Sequence, residues 1–514
     1  MLKLLQKYNF GFKFVIISIF VFSFIFQYLA IINDNMIQFD EPYSLFISIP
    51  TESRFNDFYK HRKSQGDIDF DYVYRTFYIP NKSNIISDLK IIRIQRYDKP
   101  HPSLYYSLLR IWNINTDMMD AKSLLQKARF LNLVFLVMSF FLLYKLLTLL
   151  YDKDKKSIAI GLCFTFFSSG MVFLYGMARE YALQNMLLIA FTLCICRIFK
   201  TINSKNQLNY KEILVFGIVS GLFMLSGYFS NFYIAMCAAP LLCYSLIKKN
   251  YKIIFQILIS FILSLEIVFM LCPNYFLLRG NFIADKCVNL VKESSVFSIH
   301  EIKSTFKSIC FNLEKYSYYS SIFCLGVFCF LVNLIKKFKN KDINFDYNKS
   351  SLILILLAIA FIWSFLVLSL SPFRIPYIIA RYMLPAIPIL SLLFVTFFKD
   401  LKSAILIPII CLYFGLSIYQ VFSKSYCDTD KLVKPELQYN EPLPIFTNGF
   451  SWECILLFYL YAENIKSVTF KVKDINDITK MHNNYLIFSP HEYSTQKPIL
   501  NIGRKNLYFF GKGK

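Results

Sequence analysis

Long apolar stretches alternate with short basic runs along most of this chain. Residues 13–32 form the first stretch, and others follow near 131–150, 157–175, 182–199, 213–228, 231–247, 253–272, 317–334, 350–370, 383–398 and 403–420. Each approaches the roughly 20 apolar residues that a helix needs to cross ~30 Å of hydrocarbon. The pattern predicts an α-helical polytopic membrane protein with about 11 transmembrane helices. Lys3 and Lys7 precede the first stretch and place the N-terminus on the cytoplasmic side. No small-residue cleavage site follows, so this stretch reads as an anchor rather than a signal peptide. Counting onward, the runs Lys153, Lys155, Lys156, then Lys248, Lys249, Lys252, then Lys336, Lys337, Lys339, Lys341 all fall inside. Loop charge and span position are separate observations, and they agree.

Residues 1–420 then form a transmembrane domain with two large outer loops, 33–130 and 273–316, and residues 421–514 form a tail on the outer face. His101 to Trp112 is apolar but too short to span, which predicts a helix lying at the outer interface. The tail alternates short apolar runs (Pro444 to Phe446, Val468 to Val472, Tyr485 to Phe488, Leu507 to Phe510) with a helix-like Ser451 to Ala462. That alternation predicts a small extracytoplasmic α/β domain.

Composition sharpens this picture. Of 514 residues 56% are hydrophobic and only 17% charged, against roughly 25% charged in an ordinary soluble domain. A disordered chain needs the reverse balance. The net charge of +23 raises nucleic acid as a partner. However, the basic residues lie in loops between spans, with no phosphate loop or zinc-finger spacing, so no nucleic acid is expected. Most of the thirteen cysteines, such as Cys163, Cys194, Cys237, Cys324 and Cys411, sit inside apolar runs as small hydrophobes. Cys287 with Cys310, and Cys427 with Cys454, lie outside the spans and can pair if that side is oxidising. No CxxC or HxxxH spacing marks a zinc site.

Candidate chemistry collects where spans meet the outer surface. Phe39-Asp40-Glu41-Pro42-Tyr43 follows the first span, and adjacent carboxylates there are costly unless solvated, paired or used. The bland reading is a helix start, with Asp40 as cap and Glu41 in the first turn. Further on stand Asp98-Lys99-Pro100-His101-Pro102-Ser103-Leu104, then Gly176-Met177-Ala178-Arg179-Glu180-Tyr181, and last Ala380-Arg381-Tyr382-Met383-Leu384-Pro385. Structural readings stand beside these too: arginines at span ends snorkel to headgroups, and His101 before Pro102 can simply start a helix.

Taken in order, Asp40-Glu41, His101-Pro102-x-Leu104, Arg179-x-Tyr181-x-Leu183 and Arg381-Tyr382 resemble the GT-C superfamily of polyprenyl-phosphate-sugar glycosyltransferases. The nearer branch is that of the protein O-mannosyltransferases and the bacterial lipid A aminoarabinose transferase. The resemblance covers about residues 13–400. Ser103 replaces the family's second proline, and Tyr228-Phe229 stands where many relatives carry His-Tyr.

The resemblance implies an inverting transfer of a hexose or pentose from a polyprenyl-phosphate donor to a glycan, lipid or protein acceptor. Asp40 is then the general base, and Glu41 orients it or binds acceptor or metal. Arg381, with Arg179 and Arg374 behind it, holds the donor phosphate, while His101, Tyr105, Tyr181 and Tyr382 line a substrate groove. No metal is required, although a divalent ion is admissible. Membrane lipids surround such an enzyme, and a bacterial inner membrane is the expected location. The alternatives are a transporter or lipid flippase, which would need ionisable groups within spans (Glu266 is the main one), and a non-catalytic assembly factor docking through its tail.

Overall fold

The structure is a computed structural model. It describes residues 2–33, 37–38, 40–48, 68–69, 85–94, 102–114, 121–152, 154–204, 207–276, 299–339, 347–370 and 381–423, and the strand segments 431–432, 443–447, 465–469, 484–489, 500–502 and 505–511. The chain is a multi-pass helical membrane protein. Among the described residues seven helices are long and apolar enough to cross a membrane: Gly11–Asn33, Ser123–Leu150, Tyr181–Ser204, Ser230–Ile247, Tyr251–Leu271, Arg381–Phe398 and Ser403–Phe422. Lys155–Phe166 and Ser169–Tyr175, bent by 58° at their junction, make an eighth if counted as one span.

The other three expected stretches are also helical, and one of them is shorter than the pattern suggested. Residues 213–228 fall on Tyr210–Met224, of 15 residues, whereas 317–334 and 350–370 fall on Tyr319–Lys339 and Tyr347–Leu370, of 21 and 24 residues. At the first of these the helix stops at Leu225 and turns at Ser226 and Gly227, although Tyr228 and Phe229 follow within the apolar stretch. Hydropathy alone therefore runs past the helix end.

By contact the chain forms two compact units. The first comprises Met1–Asp34, Arg96–Tyr105 and Arg129–Asp428. Within it, Tyr181–Ser204 and Arg381–Phe398 are the most enclosed spans, whereas Tyr251–Leu271 leaves Phe255, Leu258, Ile262 and Phe269 exposed, with Glu266 among them. Tyr210–Met224 packs closely on Tyr251–Leu271 because Gly217 and Gly221, one turn apart, face Ser260 and Ser264. Small residues at this spacing let helix backbones approach in a membrane. Ser260 Oγ donates to Ile213 O at 3.1 Å across the pair. A Cβ on Gly221 would lie 2.9 Å from the Ser264 carbonyl, which is backbone and cannot swing away. Gly221→Val is therefore expected to cost about 1–3 kcal/mol by overpacking, read as a lower midpoint in thermal unfolding of detergent-purified protein. A midpoint equal to wild type would mean the two helices separate easily.

The second unit comprises Asn35–Gln95, Tyr106–Ala128 and Thr429–Lys514. Its described strands are β1 (Ile37–Gln38), β2 (Ile68–Asp69), β3 (Lys431–Leu432), β4 (Leu443–Thr447), β5 (Ile465–Thr469), β6 (Asn484–Ser489), β7 (Leu500–Ile502) and β8 (Lys505–Gly511). β1 pairs with β3, and the rest form a mixed sheet in the order β2-β5-β4-β6-β8-β7. β4 runs parallel to both β5 and β6, and the other pairs are antiparallel. Ile445 and Leu486, fully buried, lie opposite one another at the sheet's centre. The apolar runs read from the tail fall on β4, β5, β6 and β8, with β5 starting before its run. The expected helix at Ser451 to Ala462 lies outside the described residues. β1 and β2 come from residues 33–130, so most of this loop shares a unit with the tail.

Short helices also belong to the second unit, and two of them are joined by an ion pair. Ile85–Ile94 carries Asp88, whose Oδ2 accepts from Arg110 Nε at 2.8 Å, and Arg110 is fully buried. Arg110 lies on Leu104–Trp112, the helix expected from the short apolar stretch. Of the cysteines expected outside the spans, Cys310 lies on helix Ile299–Ser317, while Cys287, Cys427 and Cys454 fall outside the described residues.

Candidate functional site

In the first unit the two most enclosed spans begin side by side, each with an arginine and a tyrosine. Tyr181–Ser204 starts after Arg179 and Glu180, and Arg381–Phe398 starts with Arg381 and Tyr382. The Tyr181 and Tyr382 rings meet edge to face, with centroids 5.5 Å apart at 88°. The Arg381 guanidinium lies over both, 5.9 Å from the Tyr181 centroid and 5.4 Å from that of Tyr382. Phe229 packs against Tyr382 at 6.1 Å, and its carbonyl accepts from Trp363 Nε1 at 2.8 Å. Beside this cluster Arg179 Nε lies 3.3 Å from Glu180 Oε2, and both side chains are almost wholly buried.

The local backbone explains why these groups converge. Pro385 and Pro388 break regular helix in the first turns of Arg381–Phe398, producing a 3-10 turn at Leu384–Ala386. A carbonyl released inside a membrane must find another donor. Asn185 supplies it, donating from Nδ2 to Pro385 O at 2.8 Å while its Oδ1 accepts from Tyr175 OH at 2.8 Å. Asn132 donates to the carbonyls of Tyr175 and Met177, and Gln27 Nε2 donates to Val172 O at 3.0 Å. The turn that carries Arg179 is thereby pinned at both sides by amides projecting from neighbouring spans.

Electrostatically the arrangement suits an anion. Helix N-termini carry partial positive charge and ordinarily favour acids. Here two spans begin with arginine instead, so positive potential accumulates at adjoining ends. A buried Arg–Glu pair contributes little net stability. Buried ionisable groups of this kind concentrate at functional sites. Arginine also presents a planar fork that matches phosphate oxygens bidentately.

The second unit holds the acidic candidates. Helix Asp40–Ile47 carries Asp40 and Glu41 in its first turn, with Asp40 partly exposed and Glu41 fully buried. Ser44 Oγ donates to Asp40 O at 3.1 Å, and Tyr43 stacks on Phe46. A fully buried carboxylate is costly unless it is paired and hydrogen-bonded.

Of the residues expected from sequence, Arg179, Tyr181, Arg381 and Tyr382 come together in the first unit. Tyr105, fully buried, belongs to the same unit, while Asp40 and Glu41 belong to the second. His101 and Arg374 lie outside the described residues. Asn132, Asn185 and Gln27 were missed. Their signal was present, since amides inside apolar spans are expensive and must bond to something. Among the described residues no group of three or more His, Cys, Asp and Glu is placed to hold a metal ion. Asn132→Ala is expected to leave the Met177 carbonyl buried without its donor, costing about 1–3 kcal/mol. Thermal unfolding checks this, and an unchanged midpoint would show that the Arg179 turn holds itself.

No protein-family model matches the chain, and no curated protein matches it. Among solved structures it is similar to the crystal structure of ArnT from Cupriavidus metallidurans bound to undecaprenyl phosphate. The TM-score is 0.52 at 10% identity, over 96% of this chain and 97% of that one. The apo-state structure of the same protein aligns at a TM-score of 0.44 and 11% identity, over 79% and 86% of the two chains. The fold, over nearly its whole length, is that of the lipid-bound structure.

Proposed function

We propose that this protein is an integral-membrane glycosyltransferase that moves a sugar from a polyprenyl-phosphate donor to an acceptor on the extracytoplasmic face. The observation that carries the reading is the buried cluster of Arg381, Tyr181 and Tyr382 beside Arg179, at the ends of the two most enclosed spans. The protein that shares the fold was crystallised with undecaprenyl phosphate. ArnT is a lipid A aminoarabinose transferase of the GT-C superfamily, the branch that the ordered motifs of this chain resemble.

In this reading an acceptor hydroxyl attacks the anomeric carbon while the bond from that carbon to the phosphate oxygen breaks. The electron pair leaves with the lipid phosphate, and the sugar inverts. Asp40 takes the hydroxyl proton and Glu41 orients Asp40. Arg381 holds the departing phosphate, where negative charge develops, with Arg179 and Arg374 in support. Tyr105, Tyr181, Tyr382 and His101 form walls for the sugar and the lipid head. The membrane is the bacterial cytoplasmic membrane, with the N-terminus inside and the sheet-bearing unit outside. No metal is assigned a role.

The test is release of polyprenyl phosphate by reconstituted protein supplied with several polyprenyl-phosphate sugars and membrane extract as acceptor source. Release that depends on both donor and acceptor supports transfer. Movement of labelled donor across the vesicle, with no acceptor and no release, would replace the reading with transport. The structure favours transfer in one respect: Glu266, the acid a transport pathway would use, lies on the exposed side of its helix.

A further inference from the structure

The far end of helix Tyr181–Ser204 carries a second cationic site. There the ends of Ser123–Leu150 and Tyr181–Ser204 border an open cavity of about 600 Å³ whose lining includes Tyr144, Lys145, Thr148, Asp152, Arg197 and Lys200. All of these belong to the first unit. Arg197 lies ~24 Å along the helix from Tyr181 at 1.5 Å per residue, so this cavity is at the membrane face away from the Arg381 cluster.

Single cations at span ends usually snorkel outward, and helix C-termini favour them. Three such cations line one concavity here, with Asp152 as the lone acid in its lining. Among the described residues Lys145, Arg197 and Lys200 join no ion pair. All three are exposed, so their charge is presented to an anion that enters the space between them. The volume lies within the range of ligand pockets, roughly 300–1,000 Å³, and exceeds what one phosphate needs. The position, at the ends of two spans, is the depth at which lipid headgroups sit. Basic pockets between transmembrane helices bind phosphate-bearing headgroups.

We propose that this cavity binds the headgroup of an anionic phospholipid, with Arg197 on the phosphodiester, Lys145 and Lys200 flanking it, and the acyl chains lying along the two helices. The proposal stands independently of the transferase reading. The test uses the full chain, purified in neutral detergent and stripped of lipid, with binding followed by native mass spectrometry and thermal shift. Phosphatidylglycerol is expected to bind and raise the unfolding midpoint, and phosphatidylcholine to do neither. The triple variant Lys145→Gln, Arg197→Gln, Lys200→Gln is expected to bind phosphatidylglycerol on the order of a hundredfold more weakly, at about fivefold per charge. If the triple variant does not accumulate, Lys200→Gln alone is expected to show about the fivefold loss. Unchanged affinity in either variant, or equal binding of phosphatidylcholine, would overturn the assignment. Glycerol 3-phosphate binding as tightly as phosphatidylglycerol would also overturn it, in favour of a soluble anion.

Discussion

Asp40→Asn is expected to lower sugar transfer by roughly 10²–10⁴-fold, the usual worth of a general base, while the protein still accumulates and binds donor. The substitution is nearly isosteric, and Asn is as well suited as Asp to a helix start, so helix Asp40–Ile47 should form as before. What it removes is the capacity to accept a proton from the acceptor hydroxyl. Release of polyprenyl phosphate, measured at equal folded yield by size exclusion, reads the effect. Equal release by wild type and variant would reduce Asp40 to a capping residue and place the base elsewhere. Glu41→Gln separates the partners: an orienting Glu41 should give a smaller loss in turnover than Asp40→Asn, whereas a purely structural one should lower the unfolding midpoint with turnover per folded molecule intact.

Arg381→Met should be almost as damaging to transfer and harmless to the fold. A methionine keeps apolar contact with the Tyr181 and Tyr382 rings, over which the guanidinium now lies at 5.9 and 5.4 Å, but removes the charge. Loss of one preorganised charge-stabilising group costs roughly 10²–10³-fold in turnover. Stability should hold or rise, because an arginine at the start of a span opposes the helix dipole. Arg381→Lys restores charge without the planar fork or the stacking, so it should recover only part of the rate. The diagnostic result is a stable, inactive Arg381→Met beside a partly active Arg381→Lys. An Arg381→Met enzyme within tenfold of wild type would mean that the phosphate is held elsewhere, and Arg179 would be the next residue to replace.

Much of the fold was legible from local pattern. A span must be apolar over most of its length wherever it sits, so the membrane-crossing helices, the short Leu104–Trp112 helix and four of the tail strands could be read without knowing their neighbours. The same holds for the residues of the candidate site taken one at a time, since arginines, tyrosines and paired carboxylates at span ends stand out against an apolar background. Helix ends were less legible. Tyr210–Met224 stops while the sequence remains apolar, because a turn is decided by backbone conformation and not by hydropathy.

Only the tertiary structure decided which of these residues meet. Tyr181 and Tyr382 are about 200 positions apart, and nothing local to either marks the other; the edge-to-face contact exists because two enclosed spans begin together. Asn185 finds the Pro385 carbonyl for the same reason. β2 has two residues, too few for any alternating pattern, and it joins the sheet through backbone pairing with β5, which is indifferent to side chains. Lys145, Arg197 and Lys200 read separately as ordinary span-end cations and become a cavity only when their helices pack. The sequence thus determined what each segment must be, because burial in lipid is a property of one segment. The structure decided what the segments do together, because contacts between distant segments depend on how closely their surfaces fit.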